Sequence, residues 1–299
     1  MFTARQLRDV TLLYLCSVAA GCAQSHTTQK HYVPTVTLFK NASTFADVGA
    51  GQGLTVNGNL VYIYGDAKTG VIREATFDQG TGHLVPTGRD VRLTIDGEDV
   101  APHPTGLTIR DGMPTFMGDT VNRRGVIHVI DFAKALSTGT LDGALIRSIN
   151  DDAAVNGTRP CYAQVGGRWL IATSDYGNSN NAIRLYDPQR LLHATSTRDE
   201  GVLVHSFPCG PFVQNVFFIE KTNRSPAMLV LVQNITPGLG WRLTMLDLEQ
   251  SIKTNQAVIL RMYDFAPKDE LEGAAVLGKE TLLLISASSK DNVRVGLIR

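Results

Sequence analysis

The sequence predicts an all-β protein built as a five-bladed β-propeller, closed by an N-terminal strand that completes the last blade. Three observations carry this expectation. A strand–turn–strand pattern recurs five times, starting at residues 52, 105, 161, 214 and 272, so that successive copies lie 53, 56, 53 and 58 residues apart. Self-similarity at a near-fixed period marks a repeat architecture. The 299-residue chain carries 28 glycines set among short runs rich in Val, Leu and Ile, as turn-dense β-proteins do. The fifth copy ends with the chain before it has a fourth strand, while a spare strand, 35-TVTLFK-40, stands ahead of the first copy.

The first pair of strands is seen in 52-QGLTVNGNLVYIYGD-66, 105-TGLTIRDGMPTFMGD-119, 161-CYAQVGGRWLIATSD-175, 214-QNVFFIEKTNRSPAMLVLVQN-234 and 272-EGAAVLGKETLLLISAS-288. Each strand is short, rich in β-branched and aromatic residues, and bounded by Gly or Asn-Gly turns, and none keeps a helical period over three turns. Small residues at the start of each copy (Gly53, Gly106, Ala163, Gly273, Ala274) fit crowding beside a central axis. A third strand follows at 70–77, 125–132, 182–187, 242–247 and 292–299. Three of these run into short helical stretches (AKAL, PQRLL, LEQSI). The fourth strands are read at 91–95, 144–149, 202–207 and 258–263. Closing the ring through 35–40 leaves only short edges.

Residues 1–21 read as a targeting segment: Arg5 and Arg8, the apolar run 10-VTLLYLCSVAA-20, then Gly21 and Cys22. The run is shorter than the roughly 20 residues a permanent membrane helix needs. The stretch 19-AAGC-22 resembles the lipobox of bacterial lipoproteins, with Ala19 where Leu is usual, and Cys22 is then the lipidated residue. An ordinary secretory signal is the other reading. Either one exports the protein, to the periplasmic side of a bacterial membrane as a lipid-anchored protein or to the outside. Residues 22–34 form a tether and 35–299 the propeller. Cys161 and Cys209 then meet an oxidising compartment, where a disulfide and two free thiols are both compatible with the sequence.

The charge balance, 28 basic against 28 acidic residues, offers no electrostatic footprint for nucleic acid, and a monomer is expected. The stretch 273-GAAVLGKET-281 fits the opening of a phosphate-binding loop but places Glu280 where Ser or Thr must hold Mg²⁺, and a strand follows instead of a helix. The repeat makes 278-GKE-280 a hairpin turn.

Two rows of equivalent positions share one mouth of the channel. Position one of each copy is Gln52, Thr105, Cys161, Gln214 and Glu272; the ends of the second strands supply Asp66, Asp119, Asp175, Asn234 and Ser288. The position-one row, with Asn234 and Ser288, is expected to bind a ligand. Asp66, Asp119 and Asp175 read either as oxygen ligands for Ca²⁺ or as turn residues that cap backbone amides. Glu272 with His103, which enters the same face, is the candidate acid/base pair. The aspartates 131, 187 and 247 lie on the opposite face and read as turn residues.

The repeat resembles five-bladed propellers, a group that includes glycan-cleaving enzymes, calcium-dependent nucleotidases and sugar-binding lectins. The glycosidases of that kind place three carboxylates at inner-strand positions; here the row holds one, Glu272. Five equal sugar sites do not fit the divergent row of Gln, Thr, Cys, Gln and Glu. The leading expectation is an envelope protein that binds a small polar ligand or glycan at the mouth. A hydrolase of glycans or phosphoesters using Glu272, His103 and Ca²⁺ is the alternative, and a protein-interaction scaffold is the third.

Overall fold

The computed structural model describes residues 32–179, 181–267 and 269–299. The expected targeting segment, Cys22 and most of the expected tether lie outside the described residues. The chain opens with β1 (Val36–Ser43) and proceeds to a first sheet of β2 (Gly51–Asn57), β3 (Leu60–Asp66), β4 (Gly70–Asp78) and β5 (His83–Arg92). A two-residue ladder follows, β6 (Thr94–Ile95) with β7 (Glu98–Asp99). The second sheet is β8 (Pro104–Thr108), β9 (Thr115–Val121), β10 (Arg124–Ile130) and β11 (Leu145–Asp151), with α1 (Phe132–Thr138) inserted before its last strand. The third is β12 (Cys161–Val165), β13 (Arg168–Thr173), β14 (Ala182–Tyr186) and β15 (Leu203–Pro208), with α2 (Pro188–His193) inserted likewise. The fourth is β16 (Val213–Ile219), β17 (Met228–Thr236), β18 (Leu239–Asp247) and β19 (Ile259–Phe265), with α3 (Leu248–Thr254). The fifth holds β20 (Leu271–Leu277), β21 (Thr281–Ser286) and β22 (Val293–Ile298), and its outer place is taken by β1.

Every neighbouring pair in these sheets is antiparallel, and β1 pairs with β22 from Val36↔Ile298 to Ser43↔Val293. The protein is a five-bladed β-propeller closed by its own N-terminal strand, as the repeat predicts. Its core is divided among the blade interfaces. Tyr62 and Ile72 of blade 1 pack on Met117 and Ile130 of blade 2. Phe116 and Ile149 meet Ile171 and Tyr186 between blades 2 and 3. Leu170 and Leu185 meet Val216 and Leu231 between blades 3 and 4. Trp241 and Leu243 meet Leu271 and Leu284 between blades 4 and 5. Leu283 and Ile285 meet Leu54 and Ile63, which completes the ring. Because each inner sheet is packed on both faces, its strands read as continuous apolar runs, and alternation appears only in the outer strands.

The three helices share one start signal. Asp131, Asp187 and Asp247 end the third strands of blades 2 to 4, and each side chain accepts a hydrogen bond from a first-turn amide. These N-caps satisfy donors that have no partner inside the helix, which matches the turn role read from the sequence.

One strand differs from its expected position. The fourth strand of blade 1 was expected at 91–95 and lies at His83–Arg92. Blade 1 has no helix after its third strand: Asp78 caps Gly80 N–H at 2.8 Å and accepts from the Thr81 hydroxyl, so the chain turns back at once. Pro86 and Gly88 disguise the strand in the sequence; inside a strand a proline is tolerated on an outer edge, where its missing N–H breaks no ladder bond.

Candidate functional site

Four of the five inner strands carry a β-bulge at the same place. The ladder slips between Gly51 and Gly53, Pro104 and Gly106, Val213 and Asn215, and Leu271 and Gly273. The extra residues are Gln52, Thr105, Gln214 and Glu272. A bulge re-aims a side chain out of the pleat, so the repeated polar position of the sequence is a repeated backbone device.

Below these residues the channel is crossed by Tyr64. Its ring lies over Gly53, where an added Cβ would sit 2.3 Å from the phenolic oxygen, and that oxygen accepts a hydrogen bond from Asn215 of blade 4 at 2.8 Å. Tyr64 and Asn215 thus tie blade 1 to blade 4 beside the polar cluster at the mouth, hereafter the cup.

The centre of the cup contains a residue the sequence reading passed over. Arg159, only 3% exposed, directs Nε to the Gln214 carbonyl (2.9 Å), Nη2 to Gln214 Oε1 (3.1 Å) and Nη1 to the Asn156 carbonyl (3.0 Å). Its guanidinium also lies 5.9 Å from the Tyr176 ring centroid. Gln214 Nε2 donates to Glu270 Oε1 at 2.6 Å, and Asn234 Nδ2 donates to the same oxygen at 3.3 Å. On the other side Asp66 accepts from Ala50 N–H (3.0 Å) and Gln52 Nε2 (3.4 Å), and its Oδ2 lies 3.2 Å from His103 Nδ1.

Glu272 is 4% exposed and accepts no hydrogen bond from the described residues. Burial pushes its carboxyl up to about 8, Glu270 and Asp66 add to the rise, and Arg159 opposes it. Desolvation disfavours the charged form, and neighbouring carboxylates act in the same direction. Glu272 is thus a mostly neutral acid at pH 7.

The expected residues divide accordingly. Gln52, Gln214, Asn234 and Glu272 come together in the cup, with Asp66 and His103 at its side. His103 pairs with Asp66 and makes no contact with Glu272, so the proposed acid/base pair is replaced by two separate features. Ser288 sits beyond the strand end and donates to Asp269 at 3.0 Å. Thr105 joins blade 2 to blade 3 by donating to the Thr158 carbonyl at 2.8 Å.

Cys161 does not belong to the row. It begins β12 without a bulge, opposite Ala172, and lines a cavity at the other end of the channel with Thr108, Phe217 and Trp169. Pro160 has no N–H for the ladder, so the strand starts one residue after it, and Arg159 takes the place at the mouth. Both cysteines are free thiols, which corrects the disulfide alternative. Cys161 Sγ turns to the Tyr162 carbonyl, Cys209 Sγ lies 3.7 Å from Ser174 Oγ, and burial raises the thiols to about 12 and about 11. Such thiols are poor nucleophiles.

The three aspartates are not brought together either. Asp175 accepts from Val155 and Asn156 N–H at 3.0 Å each. Asp119 is fully buried: Oδ1 accepts from His103 N–H and Oδ2 lies 3.5 Å from His128 Nε2, while His128 Nδ1 is 2.9 Å from Ser148 Oγ. Asp119 pairs with Val126 in the ladder whereas Asp66 pairs with Gly70, so the two occupy different registers and different faces. Among the described residues no group of three His, Cys, Asp or Glu is placed to hold a metal ion. The capping alternative describes these aspartates.

No protein-family model and no curated protein sequence matches the chain. Among solved structures it is similar to a structure of the Dos1 propeller at 9% identity and a TM-score of 0.37, covering 90% of this chain and 54% of that one, about half its length. It is similar to a mutant of the α-L-arabinanase of Cellvibrio cellulosa at 11% identity and a TM-score of 0.49, over 85% and 91% of the two chains. A PQQ-bound aldose sugar dehydrogenase from Streptomyces coelicolor gives 10% identity and 0.41, over 89% and 98%. At these values none of the three bears on what the cup holds.

Proposed function

We propose that the protein binds a small polar ligand, a glycan or a molecule of similar character, in the cup at the mouth of its channel, with Glu272 at the centre of the site. One observation supports this reading: the Glu272 carboxyl, 4% exposed and bonded to none of the described residues, lies within the electrostatic reach of Arg159, Glu270 and Asp66. A ligand that bonds this carboxyl in the folded protein alone adds to its stability. The test is thermal unfolding with a panel of monosaccharides, amino sugars and polyols. At least one compound is expected to raise the Tm of the wild type by several degrees and to leave Glu272→Ala unmoved. Equal shifts in both proteins would remove the cup from consideration.

A second reading, hydrolysis of a glycan or phosphoester, is favoured by the raised Glu272 carboxyl, which can donate a proton to a leaving oxygen at neutral pH. Its mark is an aryl glycoside or aryl phosphate that the wild type cleaves and Glu272→Gln binds without cleaving.

We also propose that the protein is exported and held at a bacterial envelope by lipid on Cys22. The motif 19-AAGC-22 after an apolar run supports this. Expressed in a bacterium, the wild type is expected in the membrane fraction and Cys22→Ser in the soluble fraction; identical fractionation would dismiss the anchor.

A further inference from the structure

A second polar row lies away from the cup, across the outer strands of blade 2. His128 on β10 pairs directly with Ser148 on β11, and Asp119 on β9 pairs with Val126, one diagonal step from His128. The three side chains share one face of the sheet, opposite the face that Phe116, Ile127 and Ile149 turn to blade 3. Ser148 Oγ lies 2.9 Å from His128 Nδ1, and His128 Nε2 lies 3.5 Å from Asp119 Oδ2. Burial changes along the row: Asp119 is 0% exposed, His128 2%, and Ser148 is open to solvent. A surface hydroxyl is thus backed by a buried imidazole, and the imidazole by a buried carboxyl.

Asp119 Oδ2 and His128 Nε2 are buried and face each other without any other partner among the described residues. A neutral imidazole carries one proton, and an acceptor beside Nε2 draws it there. Nδ1 is then the bare nitrogen that accepts from the Ser148 hydroxyl. The 3.5 Å gap exceeds a formed hydrogen bond, as contacts in catalytic sites often do until substrate tightens them.

The adjoining surface is concave. A depression of about 410 Å³ is lined by Val121, Asn122, Arg124, Val126 and Asn150. Val121, Val126 and Asn150 each stand two residues from a member of the row, and residues two apart on a strand share a face at a spacing of about 7 Å. The depression therefore adjoins Ser148. The side-chain amide of Asn150 makes no hydrogen bond to the described residues and stands on the strand of Ser148, where it can donate to a carbonyl oxygen held over that hydroxyl. With one such donor, the easier bond to break, that of an ester, suits the site better than an amide.

We propose that Ser148, His128 and Asp119 form a hydrolytic site for small carboxylic esters, separate from the cup. Ser148 Oγ attacks the carbonyl carbon while its proton passes to His128 Nδ1. The bond to the alcohol oxygen breaks, and that oxygen takes the proton from Nδ1. Water then attacks the acyl group on Ser148 by the same proton path, which releases the acid and restores the hydroxyl. Asp119 is a positioning residue that keeps the imidazole proton on Nε2.

The experiment is treatment with diisopropyl fluorophosphate, peptide mapping of the adduct, and a p-nitrophenyl acetate assay. The wild type is expected to gain one adduct, on Ser148, and to cleave the ester. Ser148→Ala, a surface change that keeps the wild-type Tm, should lose the adduct and cleave the ester about 100-fold more slowly. Asp119→Asn can present an amide N–H to Nε2 and so move the proton to Nδ1; it should be labelled about 100-fold more slowly. The part played by His128 is read without touching this buried residue. A thiol against Nδ1 ionises readily, so Ser148→Cys should be alkylated by iodoacetamide at pH 7 about ten-fold faster than the exposed reference Ser137→Cys on α1. No adduct on Ser148, or ester cleavage that Ser148→Ala retains, overturns the site. Equal alkylation of the two cysteines also overturns it, because His128 then only braces the strand pair.

Discussion

A chain that starts at Thr44 is expected to lose most of its stability, or to fail to fold at 37 °C, compared with one that starts at Tyr32. The shorter chain lacks β1, and the loss has three parts. The ladder from Val36↔Ile298 to Ser43↔Val293 disappears, together with the reciprocal backbone bonds between Thr35 and Arg299. Val36 and Leu38 leave the cluster around Trp241, Leu284 and Ile298; burying one such side chain fully contributes about 1.5–3 kcal/mol. The Tyr263 hydroxyl loses the Pro34 carbonyl, 2.9 Å away. Each net hydrogen bond adds roughly 0.5–1.5 kcal/mol, so the total reaches about 5 kcal/mol, a large share of the roughly 5–15 kcal/mol that stabilises a folded domain. The edge of β22 is also opened to pairing with other chains. Thermal unfolding with matched samples reads the difference, expected at 10 °C or more. A peptide of residues 32–43 added in trans should recover part of it by strand addition. Coincident transitions for the two chains would mean that closure by β1 does not hold the ring.

The ring was legible in the sequence because its physics repeats. The first two strands of blades 1, 3 and 5 are joined by two- or three-residue turns, and Asn57-Gly58, Gly166-Gly167 and Gly278 report those turns at a near-fixed period. The missing fourth strand of the fifth copy and the orphan strand 35–40 are two halves of one inference, since an unpaired edge at each end of the chain is satisfied by joining them. Blade 1 escaped in part because its fourth strand carries Pro86 and Gly88 in its interior, where such residues weigh against a strand unless it lies at an outer edge. The helix starts were legible for a local reason: Asp131, Asp187 and Asp247 each cap an amide within three residues, so the signal needs no tertiary knowledge.

The cup was half legible. Gln52, Gln214 and Glu272 stood out as polar residues at equivalent places, and the bulge explains why polarity recurs there. The register of blade 3 could not be read by matching strand patterns, because Pro160 shortens its inner strand and shifts the equivalent position to Arg159. The one clue was an arginine directly before Pro-Cys at the end of a polar loop. Glu270 and Tyr176 lie in loops outside the repeat, where spacing carries no information; only the fold places them against Gln214 and Arg159. The same limit separates Asp66 from Asp119: both end a Gly-Asp pair, yet a one-residue difference in register turns one toward the cup and buries the other against His128.

Replacing Glu272 by Gln should make the protein more stable at alkaline pH and remove a pH dependence that the wild type carries. The native carboxyl is held at about 8, against an ordinary value of 4.5 in the unfolded chain. Between these values the native state keeps a proton that the unfolded state releases, so the contribution of this group to stability is complete below pH 4.5 and is lost progressively as pH rises to 8. The linkage slope inside the window is about 1.4 kcal/mol per pH unit for one proton. Glutamine has nearly the same shape and no proton to lose. The difference in unfolding free energy between Glu272→Gln and wild type should therefore rise in favour of the variant from about pH 5 to 8 and level off above. Over that span it amounts to about 4 kcal/mol, and urea unfolding at half-unit pH steps would resolve it. Subtracting the two curves cancels every other titrating group, so parallel curves would mean that Glu272 ionises as freely as an exposed carboxyl. In that case the carboxyl is freely hydrated in the folded protein.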